Sequence, residues 1–125
     1  MLVGIDIIDI ERIKTAVERT PRFLYRIFTQ RELEYCFSKN DPYPSLAVRF
    51  AAREAVRKLH PVFISGISFQ EVEVFIHEDG RPELKLHGAA LEKCLQQGIS
   101  ELSISLSHSK TQAIAAVIAK KEVIK

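Results

Sequence analysis

The chain has no tryptophan, one methionine, two cysteines, and only five glycines and five prolines in 125 residues. So little Gly and Pro excludes a collagen-like chain, and a 46% hydrophobic content excludes an intrinsically disordered one. No apolar run approaches the ~18 to 20 residues that a membrane helix needs. The opening Met1-Leu2-Val3-Gly4-Ile5-Asp6 lacks a basic segment and sets an acid inside its apolar stretch, so it does not read as a signal peptide, and the expected compartment is the cytoplasm. Cys36 and Cys94 show neither CxxC nor Cys/His spacing, which argues against a zinc site or a disulfide framework. Each reads as a small hydrophobe on its helix. A Gly-rich phosphate loop is also missing, which excludes a P-loop enzyme. What remains is one soluble domain, long enough to bury roughly two-thirds of its unfolded surface.

The net charge is only +2, but it is unevenly placed. Between Arg12 and Arg31 stand six bases (Arg12, Lys14, Arg19, Arg22, Arg26, Arg31) against the single acid Glu18, a local balance of +5, so the rest of the chain sums to −3. A cationic patch confined to one early segment favours an acidic partner docking there.

Leu2 to Ile10 is rich in Val and Ile and reads as a strand, interrupted by Asp6 and Asp9. Glu11 to Arg19 is helical by pattern, and Thr20-Pro21 breaks it. A short segment follows over Phe23 to Phe28. Thr29 with Glu32 three residues on is a capping-box signature for a helix over Gln30 to Phe37. Ser38 to Pro44 reads as a loop. Ser45 to His60 is the most informative helix: at about 100° per residue, Val48, Ala51, Ala52, Ala55 and Leu59 form one apolar stripe. Arg49, Arg53 and Arg57 form a second stripe on the opposite side, while Glu54 and Lys58 stack at spacing four as an expected helix ion pair. Val72 to Ile76 and Leu84 to Leu86 predict a hairpin turned at Asp79-Gly80, and Ala89 to Gln97 a short helix closed by Gly98. Leu102 to Ser107 and Ala113 to Ala119 read as strands joined by His108 to Gln112. The expected fold is α+β, a single domain with helices packed on an antiparallel sheet.

An ionised carboxylate at Asp6, among Val3, Ile5, Ile7 and Ile8, is costly unless it is paired or bound to a cation. From that run alone, an acid on the polar side of an edge strand is the simpler reading. Taken with Glu54 and Lys58, a sharper one emerges. Two carboxylates from separate elements suit Mg²⁺, which takes one or two protein carboxylates and fills its remaining positions with water and phosphate oxygens. A lysine beside them can neutralise charge developing on a phosphate, and together these are phosphoryl-transfer equipment. In the last strand Ser103, Ser105 and Ser107 share one face and His108 the other, so Ser107 and His108 make a poor nucleophile and base pair. His108, at the mouth of a turn, is a candidate general base or phosphate ligand.

Six segments, in order, carry a resemblance: Gly4-Ile5-Asp6-Ile7; Arg12-Ile13; Arg26-Ile27-Phe28-Thr29 followed by Glu32; Arg49-Phe50-Ala51-Ala52-Arg53-Glu54-Ala55; Gly80-Arg81-Pro82; and Ser105-Leu106-Ser107-His108. With them the chain resembles, nearly end to end, the small bacterial holo-[acyl-carrier-protein] synthases, a branch of the 4′-phosphopantetheinyl transferases. The resemblance implies a Mg²⁺-dependent transfer of the 4′-phosphopantetheine arm of coenzyme A to a serine of apo acyl carrier protein, releasing adenosine 3′,5′-bisphosphate. It implies metal ligation by Asp6 and Glu54, contact of Lys58 with the pyrophosphate, and a coenzyme A cleft lined by Arg49, Arg53, Gly80, Arg81, Pro82, Ser107, His108 and Ser109. The carrier protein would dock on Arg12, Arg19, Arg22 and Phe23, and the assembly would be a homotrimer with active sites between subunits.

Two stretches depart from the family pattern. It usually has Lys where Arg53 stands, and a Gly-Thr-Gly-like loop near the metal and the pantetheine where this chain reads Leu59-His60-Pro61-Val62-Phe63-Ile64-Ser65-Gly66. Two other functions compete: a non-enzymatic module holding an acidic protein through Arg12 to Arg31, and a Mg²⁺-dependent nucleotide hydrolase. Nucleic acid is not expected, because the basic segment lacks interleaved exposed aromatics and the overall charge is nearly balanced.

Overall fold

A computed structural model of the protein describes residues 1–123. In chain order the elements are β1 (Leu2–Asp9), α1 (Ile10–Arg19), α2 (Arg22–Ile27), α3 (Gln30–Phe37), α4 (Tyr43–Leu59), β2 (Val72–Ile76), β3 (Pro82–Leu86), α5 (Gly88–Gln96), β4 (Ile99–His108) and β5 (Gln112–Lys121). Single 3₁₀ turns at Pro61–Phe63 and Phe69–Glu71 lie between α4 and β2. All strand pairing is antiparallel, in a three-stranded sheet ordered β1-β5-β4 and a separate hairpin of β2 and β3. This is the expected α+β domain.

The core gathers around α4. Leu46, Ala47, Val48, Ala51, Ala52, Ala55, Val56 and Leu59 are all buried, which includes the whole apolar stripe read from the wheel. The alanines let the sheet come close. At Gly4 of β1 the approach is so tight that a Cβ would stand 2.0 Å from the Ala55 carbonyl oxygen. The helix begins two residues earlier than its apolar pattern, because Pro44 fits the first turn, where no backbone N–H is needed. β4 likewise starts at Ile99, before its alternation becomes regular: a bulge between Ser100 and Ser103, with Glu101 at φ 53°, hides the first residues from a period-two reading. The capping box at Thr29 and Glu32 forms as its spacing predicts.

The orientation of β1 reverses the simpler expectation. Gly4, Asp6 and Ile8 face α4, while Val3, Ile5 and Ile7 on the other side are 61%, 53% and 57% exposed. Pairing continues that outer face through Ile118, Ala116 and Ile114 of β5 to Ser103, Ser105 and Ser107 of β4. Asp6 therefore stands on the core side of an edge strand, and the strand's apolar side is the open one. Among the described residues no helix is long and apolar enough to cross a membrane.

Candidate active site

β1 and α4 meet along a seam that holds three of the residues the sequence singled out. Asp6 rises from the α4-facing side of β1, its side chain 15% exposed, and Lys58 in the last turn of α4 donates from Nζ to Asp6 Oδ1 at 2.9 Å. Lys58 thus pairs across the seam and not with Glu54, as the helix spacing predicted. Among the described residues Glu54 has no ion pair within 4 Å, and its side chain is half-buried one turn before Lys58. The seam thereby collects two carboxylates and one ammonium from two rigid elements.

The donor set fits a hard divalent cation. No group of three His, Cys, Asp or Glu stands together among the described residues, so a cation here would take carboxylate oxygens from Asp6 and Glu54 and fill its other positions from water or a phosphate. The unpaired state of Glu54 is what such a role asks for.

The arginine stripe is not a solvated face. Arg49 is 2% exposed and Arg53 1%, because α3 and β2 pack against that side of α4. Arg53 donates from Nη1 to Glu32 Oε2 at 3.1 Å and to the Arg49 carbonyl at 3.1 Å, from Nη2 to Glu32 Oε1, and from Nε to the Phe69 carbonyl at 2.9 Å. Its guanidinium is held inside the fold by these contacts. Arg49 is different. It donates from Nη1 to the Ser45 carbonyl at 3.0 Å and lies over the Tyr35 ring at 4.6 Å, but its Nε has no partner and no acid pairs with it among the described residues. It borders a cavity of about 270 Å³ with Arg31, Glu32, Glu34, Tyr35, Glu73 and Phe75.

Sequence reasoning did not find Glu73. Buried at 3%, it accepts from Thr29 Oγ1 at 2.6 Å, Arg31 Nη2 at 2.8 Å and His87 Nε2 at 3.0 Å. Burial by itself would raise its pKa, but these three donors outweigh burial and hold the carboxyl at about 2. The only signal in the chain was an acid between Val72 and Val74. Burial pushes the Cys36 thiol up to about 11 and raises that of Cys94, as befits small hydrophobes in a core.

The remaining predicted residues lie apart from the seam group. His108 shares the α4-facing side of the sheet with Asp6, but β5 separates them. Its Nδ1 lies 3.2 Å from the Ser109 carbonyl, with no hydrogen bond to Asp6, Glu54 or Lys58. Ser107 points to the outer face, and Ser109 Oγ accepts from Thr111 N and Gln112 N, closing the β4–β5 turn. Gly80, at φ 88°, and Arg81 form the exposed tip of the β2–β3 hairpin, with Pro82 beginning β3. Arg12, Arg19, Arg22 and Arg26 are exposed and form no ion pairs among the described residues, while Phe23 packs between Phe28 and Phe50 with ring centroids 6.2 and 6.0 Å away. The divergent loop after α4 is anchored by Phe63, fully buried, and by Val62 N donating to His60 Nδ1 at 3.0 Å.

Residues 2–117 match the model of the 4′-phosphopantetheinyl transferase superfamily. Among curated relatives, the holo-[acyl-carrier-protein] synthase of Caldanaerobacter subterraneus subsp. tengcongensis is 41% identical over 119 residues, covering 95% of this chain and 94% of that one. That of Carboxydothermus hydrogenoformans is 46% identical over 116 residues, covering 92% and 94%. Among solved structures, the holo-[acyl-carrier-protein] synthase of Neisseria meningitidis superposes with a TM-score of 0.83 at 31% identity, over 97% of this chain and 100% of that one. The Helicobacter pylori enzyme in complex with coenzyme A gives 0.78 at 30% identity, over 95% and 100%.

Proposed function

The chain belongs to the 4′-phosphopantetheinyl transferase superfamily, and from that premise we propose that it is a holo-[acyl-carrier-protein] synthase. It moves the 4′-phosphopantetheine group of coenzyme A to a serine hydroxyl of apo acyl carrier protein and releases adenosine 3′,5′-bisphosphate. The observation that carries this reading is the β1–α4 seam, where Lys58 reaches Asp6 at 2.9 Å with an unpaired Glu54 one turn away.

Asp6 and Glu54 would hold Mg²⁺, which when bound would supply positive charge against the pyrophosphate. Lys58, 56% exposed and hydrogen-bonded to Asp6, would neutralise charge on the leaving phosphate. Because the attacking oxygen belongs to the carrier serine, the chain has to position and to screen charge, and it needs no nucleophile of its own. His108 is the candidate to take the serine proton. Arg49, an uncompensated guanidinium, suits an anionic group of coenzyme A, and Gly80 to Pro82 with Ser107 to Ser109 would complete the cleft. These two groups lie apart from the seam in one chain, which supports a cleft shared between subunits. The exposed Val3, Ile5, Ile7 and Ile118 supply an apolar face for a homotrimer. Arg12, Arg19 and Arg22 would dock the acidic carrier, with Phe23 behind them, in the cytoplasm.

Mass spectrometry tests the reading. Incubation with coenzyme A, Mg²⁺ and an apo carrier adds about 340 Da to the carrier serine, the mass of the transferred group. Hydrolysis of coenzyme A without a mass gain would identify a hydrolase, and carrier binding with neither change a non-enzymatic module.

A further inference from the structure

The buried ion pair on the far side of α4 is joined to the catalytic seam by a single helical turn. Glu32, 1% exposed, is a meeting point of three elements: it accepts from its own N-cap at Thr29 N (2.9 Å), from Val74 N of β2 (3.0 Å), and from both terminal nitrogens of Arg53 in α4. Arg53 adds a third tie, to the Phe69 carbonyl before β2. On the opposite side of the same turn, Ala55 is pressed against Gly4 of β1. At 100° per residue, Arg53 and Ala55 are 200° apart around the axis, and Glu54 stands midway between them.

We propose that Glu32 and Arg53 are positioning residues for Glu54: the pair fixes the rotation of α4 about its axis and so presents the Glu54 carboxylate to the seam. This rests on the reading of Glu54 as a metal ligand. The argument is geometric. A carboxylate several ångström off a helix axis moves about an ångström for a rotation on the order of 10°, which is the tolerance of a working site. Alanines against a sheet set how closely the helix approaches, whereas a forked guanidinium on a buried carboxylate sets its orientation about the axis. A buried pair of this kind is a weak source of stability, and its best-attested value is in fixing register.

The probe is Mn²⁺, followed by the loss of its free-ion electron paramagnetic resonance signal with and without coenzyme A. Glu32→Gln and Arg53→Gln are expected to weaken Mn²⁺ binding about tenfold with helix content unchanged, and Arg53→Lys, which keeps the charge and loses the fork, to weaken it by a similar factor. Should Glu32→Gln fail to fold, Arg53→Gln carries the test, since it leaves the Glu32 carboxylate its two backbone donors. Leu84→Ala in β3, chosen to lower Tm comparably, is expected to bind Mn²⁺ as wild type does. Unchanged binding in the Gln variants overturns the proposal. So does an equal loss in Leu84→Ala, or an Arg53→Lys variant that binds Mn²⁺ as wild type does. A Glu54→Gln variant that binds Mn²⁺ normally overturns instead the metal reading on which the proposal rests.

Discussion

Asp6 and Lys58 are 52 residues apart in sequence and 2.9 Å apart in space, and this single bond brings a costly acid and a wet lysine into one apparatus. The two carboxylates of the seam are not interchangeable with their amides: Asp6→Asn and Glu54→Gln keep shape and lose charge. Each is expected to lower transfer to the carrier by about a hundredfold or more, with the circular dichroism spectrum unchanged. Glu73 is expected to contribute to stability through its three hydrogen bonds. Its folded pKa of about 2 lies below the ~4.3 of an unfolded glutamate, so its contribution is complete above pH ~4.3 and is lost as the pH falls toward 2. Urea titrations between pH 5 and pH 2 are expected to show stability falling by about 2–3 kcal/mol through this group, and Glu73→Gln to flatten that part of the slope. A profile unchanged by the substitution would show that the Thr29, Arg31 and His87 bonds do not act as argued.

Among the elements, α4 carries the most. Its apolar stripe was legible because burial on a helix follows a 3.6-residue period. The depth of its arginine stripe was not legible, because a wheel gives direction around the axis and not depth. Whether the side away from the sheet is wet depends on whether another element covers it. Here α3 and β2 do, and Glu32, legible only as a cap, is the acid that makes a buried Arg53 tolerable. The contact of α4 with β1 is equally constrained. In Gly4→Ala the new methyl would overlap the Ala55 carbonyl, a backbone group that no rotamer can move aside. Chemical denaturation is expected to show a loss of roughly 2–4 kcal/mol, with activity falling as the seam opens.

At the scale of the whole molecule, two surfaces stand out. The outer face of β1 exposes Val3, Ile5 and Ile7, and a monomer with this face open would be prone to associate. Ile5→Lys is expected to shift the protein to monomers in sedimentation velocity and to remove transfer activity with the oligomer. Monomers that remain fully active would exclude a shared cleft. The second surface is the basic one on α1 and α2. Arg22→Glu is expected to raise the KM for the carrier about fivefold at low salt, and less at high salt, where the wild-type attraction is itself screened. The KM for coenzyme A should not move.

Local periodicity and composition were enough to place nearly every helix and strand, the Thr29 capping box, the charge segregation between Arg12 to Arg31 and the remainder, and Asp6, Glu54 and Lys58 as the residues to watch. These follow from properties carried by a few neighbouring residues: spacing, capping chemistry and side-chain polarity. Only the tertiary structure decided which way β1 faces, that Lys58 pairs with Asp6 and not with Glu54, and that Arg53 is locked inside while Arg49 is left uncompensated. Each of those outcomes depends on which element packs against which. That is settled by burying the most apolar surface at once, and no window of sequence contains it.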